Sequence, residues 1–168
     1  MTSPRIAPLT AADMEAARAI GNHYIEHSTA NFNEEPLTAD EFRALVTYES
    51  SRHCAFGIHD DGLAGYLLVS PFHSRCGYRD TAEVTVYLAP DRSGRGLGRA
   101  ALAFAEEFAR TQAFHALLGA ICTENTASLR LFEAAGFTEV GRLREIGRKF
   151  GRLLDVAYVE KLLDDGDG

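Results

Sequence analysis

The segment VYLAPDRSGRGLGRA, residues 86–100, constrains the fold more than any other part of the chain. A run typical of a β-strand ends at Pro90, and an alanine-rich helical pattern follows. Between them, Gly94, Gly96 and Gly98 stand at alternate positions among three arginines. Glycine lets main chain approach a ligand closely, and a helix N-terminus offers free N–H groups and partial positive charge. The segment therefore predicts an anion site, most naturally for phosphate, where a strand meets a helix.

Two other phosphate-binding turns do not fit this segment. A P-loop needs Gly-Lys followed by Ser or Thr, which is missing here. The dinucleotide fingerprint needs a different glycine spacing and an acidic residue about 20 positions on, whereas Glu124 lies too far along. A tight turn whose arginines serve only solubility remains the alternative interpretation.

The predicted elements run in the order strand, two helices, three strands, helix, strand, helix, two strands. Capping-box pairs place the helix starts at Thr10 with Asp13 and at Thr38 with Glu41. Gly136 is placed to end the last helix. Hairpin strands pair antiparallel, while the strand–helix–strand around the glycine segment implies one parallel crossover. We predict an α/β fold with a mixed, mostly antiparallel sheet and helices on both faces.

Length and charge limit the class of protein. The 168 residues predict one domain over residues 1–163, followed by a short acidic tail over 164–168. A net charge of −7 disfavours a general nucleic-acid binder. No apolar run is long enough for a membrane span, and the first residues do not resemble a signal peptide. We therefore expect neither a nucleic acid nor a membrane as partner, and a cytoplasmic location.

The residues that often bind metals do not form a recognisable site. Cys54, Cys76 and Cys122 are widely spaced and odd in number, which favours reduced, mostly buried thiols over a zinc site or disulfides. His23 and His27 have the i, i+4 spacing of metal ligands on a helix, but no third ligand is near them in sequence. We expect no metal.

Two motifs carry a resemblance to the GNAT acyltransferases. Residues 93–98, SGRGLG, resemble the motif [Q/R]-x-x-G-x-[G/A], which in that family holds the pyrophosphate of acetyl-CoA. Ser93 departs from the usual glutamine or arginine, and Arg92 beside it is a candidate to compensate. Residues 125–137, NTASLRLFEAAGF, resemble the second signature of the family. Three further segments (residues 20–36, 74–90 and 143–151, with Asp155-Val156 beyond) are similar to the phosphinothricin and methionine sulfoximine N-acetyltransferase branch.

The resemblance implies acetyl-CoA as co-substrate and a set of residues that bind it. Asn125 and Ser128 match contacts beside the pantetheine arm, although capping of a helix explains them equally well. The expected acetyl-CoA site comprises Val86, Tyr87, Leu88, Ser93, Gly94, Arg95, Gly96, Leu97, Gly98, Arg99, Asn125 and Ser128.

Acetyl transfer to an amine needs a base, because an α-amine is mostly protonated near neutral pH. The resemblance implies Glu83 as that base, with the main-chain N–H of Leu88 holding the oxyanion. Strand alternation predicts Glu83, Thr85 and Tyr87 on one face, unless a bulge interrupts the strand. The general acid stays open, since Phe132 stands where many relatives have tyrosine. The thiolate leaves unassisted, or it takes a proton from water or from another group, of which Tyr87 is one candidate.

The expected acceptor is a small amino acid or analogue carrying a carboxylate or a phosphinyl group. Arginine suits such anions, and Arg75 with Tyr78 matches the branch best, while Phe32 and Glu35 are candidates for the pocket wall. By resemblance we also expect a homodimer. Two alternatives remain: an acceptor of another kind (protein N-terminus, amino sugar or polyamine), or a non-catalytic module that binds coenzyme A.

Overall fold

The computed structural model describes residues 4–163, so the predicted tail at 164–168 lies outside the described residues. Within residues 4–163 the structure has seven strands, four helices and two short 3-10 turns. The strands are β1 (Arg5–Pro8), β2 (Cys54–His59), β3 (Leu63–Pro71), β4 (Thr81–Leu88), β5 (Ala116–Cys122), β6 (Thr138–Lys149) and β7 (Arg152–Leu162). The helices are α1 (Met14–His27), α2 (Ala39–Val46), α3 (Leu97–Thr111) and α4 (Thr126–Ala134).

The strands form one sheet in the order β1-β2-β3-β4-β5-β7-β6. Every neighbouring pair is antiparallel except β4 and β5, which are parallel and joined by α3. The predicted α/β class, the mixed sheet and its single parallel crossover are all confirmed.

Helices cover both faces of the sheet, as predicted. On one face, α3 and α4 pack over Leu67, Val69, Val84 and Leu117. On the other face, α1 and α2 pack over the strand residues Ala55, Tyr66 and Leu68, together with their own Ala17, Ile20, Phe42 and Val46. Burial of these two apolar layers is the main stabilising contribution to such a sheet.

One of the two predicted helix starts is wrong. Thr38 forms the expected capping box with Glu41 at the start of α2. At α1, however, the N-cap is Asp13, and the N–H and hydroxyl of Thr10 both donate to the Asp13 carboxylate in the turn before the helix. The backbone makes an extra turn there, so the same two side chains bind each other without capping the helix. Gly136, with φ +87°, ends α4 as predicted.

Strand β6 extends further than the sequence pattern indicated. The predicted strand covers residues 137–143, but β6 continues to Lys149 and turns into β7 at Phe150 and Gly151, both of positive φ. The register shifts between Leu143 and Gly147. The basic stretch 144–152 therefore forms the end of a long hairpin that reaches the α1–α2 loop. Over residues 4–163, none of the helices has the length and apolar character needed to cross a membrane.

Candidate active site

A gap opens between the only parallel strands recorded for residues 4–163. β4 and β5 pair from Thr81 with Ala116 to Glu83 with Leu118, and the recorded pairing ends there. β4 runs five residues further to Leu88. The second half of β4 thus presents one edge to open space, and the glycine segment lies just beyond it.

The main chain of β4 supplies polar groups to this gap. The Ala89 N–H donates to the Ala64 carbonyl of β3 at 2.8 Å, so residue 89 faces β3. Successive residues of a strand direct their main-chain N–H and carbonyl groups to opposite sides. The main-chain groups of Leu88 and Val86 therefore face the gap, because those of Ala89 face β3. The Leu88 carbonyl accepts a hydrogen bond from the Tyr24 hydroxyl of α1 at 2.7 Å, not from β3. Two N–H groups at this edge are therefore directed away from β3.

Alternation along β4 holds throughout the strand. The β3–β4 register stays constant from Gly65 with Leu88 to Pro71 with Ala82. Val86 and Leu88 pack against the α3–α4 layer, whereas Tyr87 packs against the α1–α2 layer. The prediction that Glu83 shares a face with Thr85 and Tyr87 is confirmed, because the register carries no bulge.

Glu83 is half-buried beneath the α1–α2 layer. Its register partner on β3 is Ser70, whose hydroxyl donates to the Glu83 main-chain oxygen at 3.4 Å. Burial raises the pKa of the Glu83 carboxyl above its ordinary value. A raised pKa makes the carboxylate a stronger base, and so better suited to accept a proton near neutral pH.

The three glycines of the turn have two different structural roles. Gly94 and Gly96 have φ of +76° and +79°, and a Cβ on either would meet no described atom within 4 Å. They provide left-handed backbone beneath open space, and Gly96 is the N-cap of α3. Gly98 is buried, and a Cβ there would lie 2.8 Å from Leu131 Cδ2. Gly98 therefore allows α3 and α4 to pack closely.

The arginines around the turn also differ. Arg92 donates to the main-chain oxygens of Asp60 (2.8 Å) and Asp61 (3.4 Å), which fixes the turn to the β2–β3 hairpin. Arg95 forms an ion pair with the Asp60 carboxylate at 2.9 Å. Arg99 is exposed in the first turn of α3. Two of the three cations thus already contact one aspartate.

A cavity of about 440 Å³ lies where α1, α4 and the β6–β7 hairpin meet. Asn125 lines it and also caps α4, its side-chain oxygen accepting from the Ser128 N–H at 3.2 Å. The capping interpretation of these two residues is confirmed. The other lining residues are Tyr24, His27, Ser28, Thr29, Ala30, Glu124, Phe150 and Arg152. Sequence reasoning missed Tyr24 and His27 as lining residues, because the helical pattern at residues 14–27 indicated only a core face.

The loop between α1 and α2 lies over the face of the sheet that carries Tyr87. The Asn31 amide donates to the Tyr87 hydroxyl at 3.1 Å. The Phe32 ring packs directly on Gly147 of β6, and the buried Lys149 ammonium donates to the Asn33 carbonyl. Lys149 is only 2% exposed, so the hydrogen bond between the hairpin end and this loop is buried. Glu35 is exposed.

Arg75 and Tyr78 lie in the loop between β3 and β4, at the Glu83 end of β4. Both are exposed, and the Tyr78 ring packs on His73 with centroids 5.0 Å apart. Of the predicted site residues, the structure thus places Arg75 and Tyr78 at one end of β4 and the glycine turn at the other. None of the four candidate acceptor residues is among those that line the described cavity.

The remaining candidates are two histidines, Phe132 and the three cysteines. The rings of His23 and His27 stack with centroids 4.7 Å apart, and residues 4–163 contain no group of three or more potential metal ligands. Phe132 is buried in the core against Phe137. Cys54, Cys76 and Cys122 are free thiols, of which Cys76 is exposed.

Comparison with known proteins shows the family of the chain. The acetyltransferase (GNAT) domain matches residues 6–157. Phosphinothricin N-acetyltransferase of Streptomyces viridochromogenes is 36% identical over 157 residues, which cover 93% of this chain and 86% of the relative. L-methionine sulfoximine/L-methionine sulfone acetyltransferase of Salmonella typhimurium is 33% identical, covering 92% and 91% of the two chains.

Solved structures share the same architecture. The phosphinothricin acetyltransferase of Sinorhizobium meliloti, solved in complex with acetyl-CoA, superposes with a TM-score of 0.92 at 25% identity, covering 98% of this chain and 91% of its own. The open glycine turn at the start of α3 and the gap beside β4 fit a diphosphate and an extended arm. The chain belongs to the GNAT family of N-acetyltransferases.

Proposed function

We propose that this enzyme acetylates the α-amine of a small amino acid or analogue of the phosphinothricin, methionine sulfoximine or methionine sulfone type. One observation carries the proposal. Burial raises the pKa of Glu83, and this residue lies on β4, whose far end opens beside the glycine turn. A base and a donor site thus share one strand. The names of the relatives support this class of acceptor.

Three parts of the chain hold the donor in this proposal. The main chain at Gly94 and Gly96 and the N-terminus of α3 bind the pyrophosphate, because unpaired N–H groups and the helix dipole attract anions. The main-chain groups of Val86 and Leu88 that face the gap form hydrogen bonds with the pantetheine arm of acetyl-CoA, as they would with a neighbouring strand. Asn125, which lines the cavity together with Tyr24 of α1, contacts the pantetheine arm in this proposal. Ser93, Arg95, Leu97, Arg99 and Ser128 complete the proposed site.

Direct attack in a ternary complex is the proposed mechanism. The amine nitrogen attacks the thioester carbon, the Leu88 N–H stabilises the oxyanion, and the proton of the amine passes to Glu83. Glu83 and Leu88 are five positions apart in the chain, which places their Cα atoms about 16 Å apart along an extended strand. The proton therefore travels through water. Val86 faces the same gap about 6 Å closer to Glu83 and is the alternative oxyanion donor.

Two loops bind the acceptor in this proposal: the β3–β4 loop at the Glu83 end of β4, and the α1–α2 loop. Arg75 is proposed to bind the carboxylate or phosphinyl group, since its planar fork pairs with such anions. Tyr78 and Phe32 provide apolar contact, and Glu35 attracts the ammonium group. All four lie on loops, where specificity among related enzymes is usually located.

A thiol-release assay with acetyl-CoA tests the acceptor class. Methionine sulfone, methionine sulfoximine and phosphinothricin are expected to react faster than spermidine, glucosamine or a short peptide. A preference for one of the latter would support the alternative acceptors. Release with none of them, despite binding of coenzyme A, would favour a non-catalytic module.

Substitution of Arg75 tests its role against a neighbour. Arg75→Ala should raise KM for the amino acid at least tenfold and leave KM for acetyl-CoA nearly unchanged, as expected for loss of a charged hydrogen bond. Arg79→Ala is the control, because Arg79 is an exposed arginine four residues along the same loop. Equal effects of Arg75→Ala on both substrates would remove Arg75 from the acceptor site.

We also propose that the chain forms a homodimer through the β6–β7 hairpin. β6 is an edge strand, and the hairpin exposes Val140, Leu143, Ile146, Phe150 and Leu153, with Ile146 59% exposed. An unpaired edge with apolar side chains favours association with a second copy. Light scattering should give twice the chain mass for the wild type and the single mass for Ile146→Glu. A monomeric wild type would refute the proposal.

A further inference from the structure

The acetyl transfer proposed above needs a proton for the departing thiolate, and two obvious candidates do not supply it. Phe132 has no exchangeable proton and is buried in the core against Phe137. The Tyr87 side chain points to the α1–α2 layer, where its hydroxyl accepts from Asn31 and approaches the Ala30 carbonyl at 3.5 Å. The Tyr87 hydroxyl is therefore held away from the gap.

Tyr24 of α1 presents a hydroxyl at the gap itself. This hydroxyl donates to the Leu88 carbonyl at 2.7 Å, and the same residue lines the cavity together with Asn125. The N–H and carbonyl of one strand residue point to the same side, so the Leu88 N–H and the Tyr24 hydroxyl border one space. A thioester whose oxygen binds the Leu88 N–H would place its sulfur within reach of Tyr24.

The surroundings hold the Tyr24 ring in this position. Its ring packs against that of Tyr87 with centroids 5.3 Å apart, and Tyr87 packs in turn against the buried Tyr66 at 5.3 Å. Burial raises the pKa of the Tyr24 phenol above its ordinary value, so the hydroxyl keeps its proton at neutral pH. The O–H bond is free to rotate from the Leu88 carbonyl toward an atom in the gap.

We propose that Tyr24 is the general acid of the reaction. As the tetrahedral intermediate collapses, the carbon–sulfur bond breaks and its electron pair moves to sulfur. The Tyr24 hydroxyl gives its proton to that sulfur, so coenzyme A leaves as the neutral thiol. The phenolate then takes a proton from water. The amine proton lost to Glu83 balances the step. This inference rests on the proposed acetyl transfer and adds the residue that completes it.

Removal of the hydroxyl alone tests the inference. Tyr24→Phe keeps the ring contacts and should lower kcat by about 10²-fold, the lower range for general acid catalysis, while the Kd for acetyl-CoA changes less than twofold. Tyr66→Phe is the matched control, because it removes one hydroxyl from the far end of the same stack of rings. Its kcat should stay within twofold of wild type.

A second measurement tests whether the reaction needs the proton of the Tyr24 phenol. Incorporation of 3,5-difluorotyrosine at position 24 makes the phenol more acidic, and it should move the alkaline decline of kcat to lower pH. Because either role needs the protonated phenol, kcat and Kd together separate them: a residue that only supports the Leu88 carbonyl would change the Kd for acetyl-CoA together with kcat, whereas a general acid changes kcat alone. A wild-type chain that transfers acetyl to no amine overturns both the proposed function and this inference. An active wild type with normal kcat in Tyr24→Phe, or an unmoved alkaline decline, overturns this inference alone.

Discussion

Arg95 Nη2 lies 2.9 Å from the Asp60 carboxylate, so the glycine turn is tied to the β2–β3 hairpin by an ion pair. Asp60 also lies 3.9 Å from Arg92. The proposed pyrophosphate site therefore contains a built-in anion that competes for its cations. Binding of a diphosphate has to offset this contact before Arg95 can turn to the ligand.

Asp60→Asn should strengthen acetyl-CoA binding. The substitution removes the competing negative charge, while the main-chain oxygen that Arg92 binds remains. We expect Kd to fall by about two- to fivefold, the range of a partly exposed charge pair, with a smaller gain at high salt. Titration calorimetry at two ionic strengths measures this change.

Asp61→Asn provides the control for this prediction. It makes the same change of charge one residue further along the turn, where the side chain is exposed, and should alter Kd by less than twofold. Equal gains in the two variants would mean that overall charge, and not release of Arg95, governs affinity.

Glu83→Gln should lower kcat by about 10²-fold while acetyl-CoA binding stays within twofold of wild type, because the amide cannot accept the amine proton. Stopped-flow thiol release and calorimetry give the two quantities. In the wild type, kcat should rise with pH through the raised pKa of Glu83. Loss of binding with unchanged kcat would contradict the role of Glu83 as base.

The same substitution should raise the melting temperature at pH 7. The folded-state pKa of Glu83 is raised by burial, so its contribution to stability is full below the unfolded value near 4.5 and is lost as pH rises through the folded value. Glutamine stays neutral and avoids that loss. Calorimetric scans of both proteins at pH 7 and below pH 4 should show a difference in melting temperature that disappears in acid. A difference that does not depend on pH would refute the explanation.

Gly98→Ala and Gly94→Ala should separate the cost of a packing clash from the cost of a left-handed backbone. At Gly98 the new methyl group meets Leu131 at 2.8 Å, which should cost about 1–3 kcal/mol of unfolding free energy. Gly94 has open space around it, and its cost comes from positive φ, about 1 kcal/mol. Urea unfolding gives both values. Partial rescue of Gly98→Ala by Leu131→Val would support the clash, and additive losses would argue against it.

Gly147→Ala should weaken binding of the amino-acid acceptor more than binding of the donor acetyl-CoA. A methyl group at Gly147 would displace the Phe32 ring from its place on β6, and the α1–α2 loop would move with it. We expect at least a fivefold increase in KM for the amino acid and an unchanged Kd for acetyl-CoA. Gly141→Ala on the same strand meets no described atom within 4 Å and is the control. Equal kinetics of the two variants would show that the loop position does not matter.

Much of the fold followed from local patterns. The alternation around Glu83 and the glycines before α3 reflect short-range rules, which is why the faces of β4 and the strand-to-helix turn were predicted correctly. Thr10 shows the limit of such rules. Its pairing with Asp13 was correct, but the backbone path that decides which residue caps the helix depends on how α1 packs.

By itself, the sequence determined the family, the mixed sheet, and the position of Glu83 on the strand that leads into the glycine turn. Only the tertiary structure brought Tyr24 to the Leu88 carbonyl, Asp60 to Arg95 and Gly147 to Phe32. These pairs lie between 35 and 115 residues apart in the chain, so no local periodicity connects them. Their contacts arise from sheet order and layer packing, which are set by the burial of the whole core.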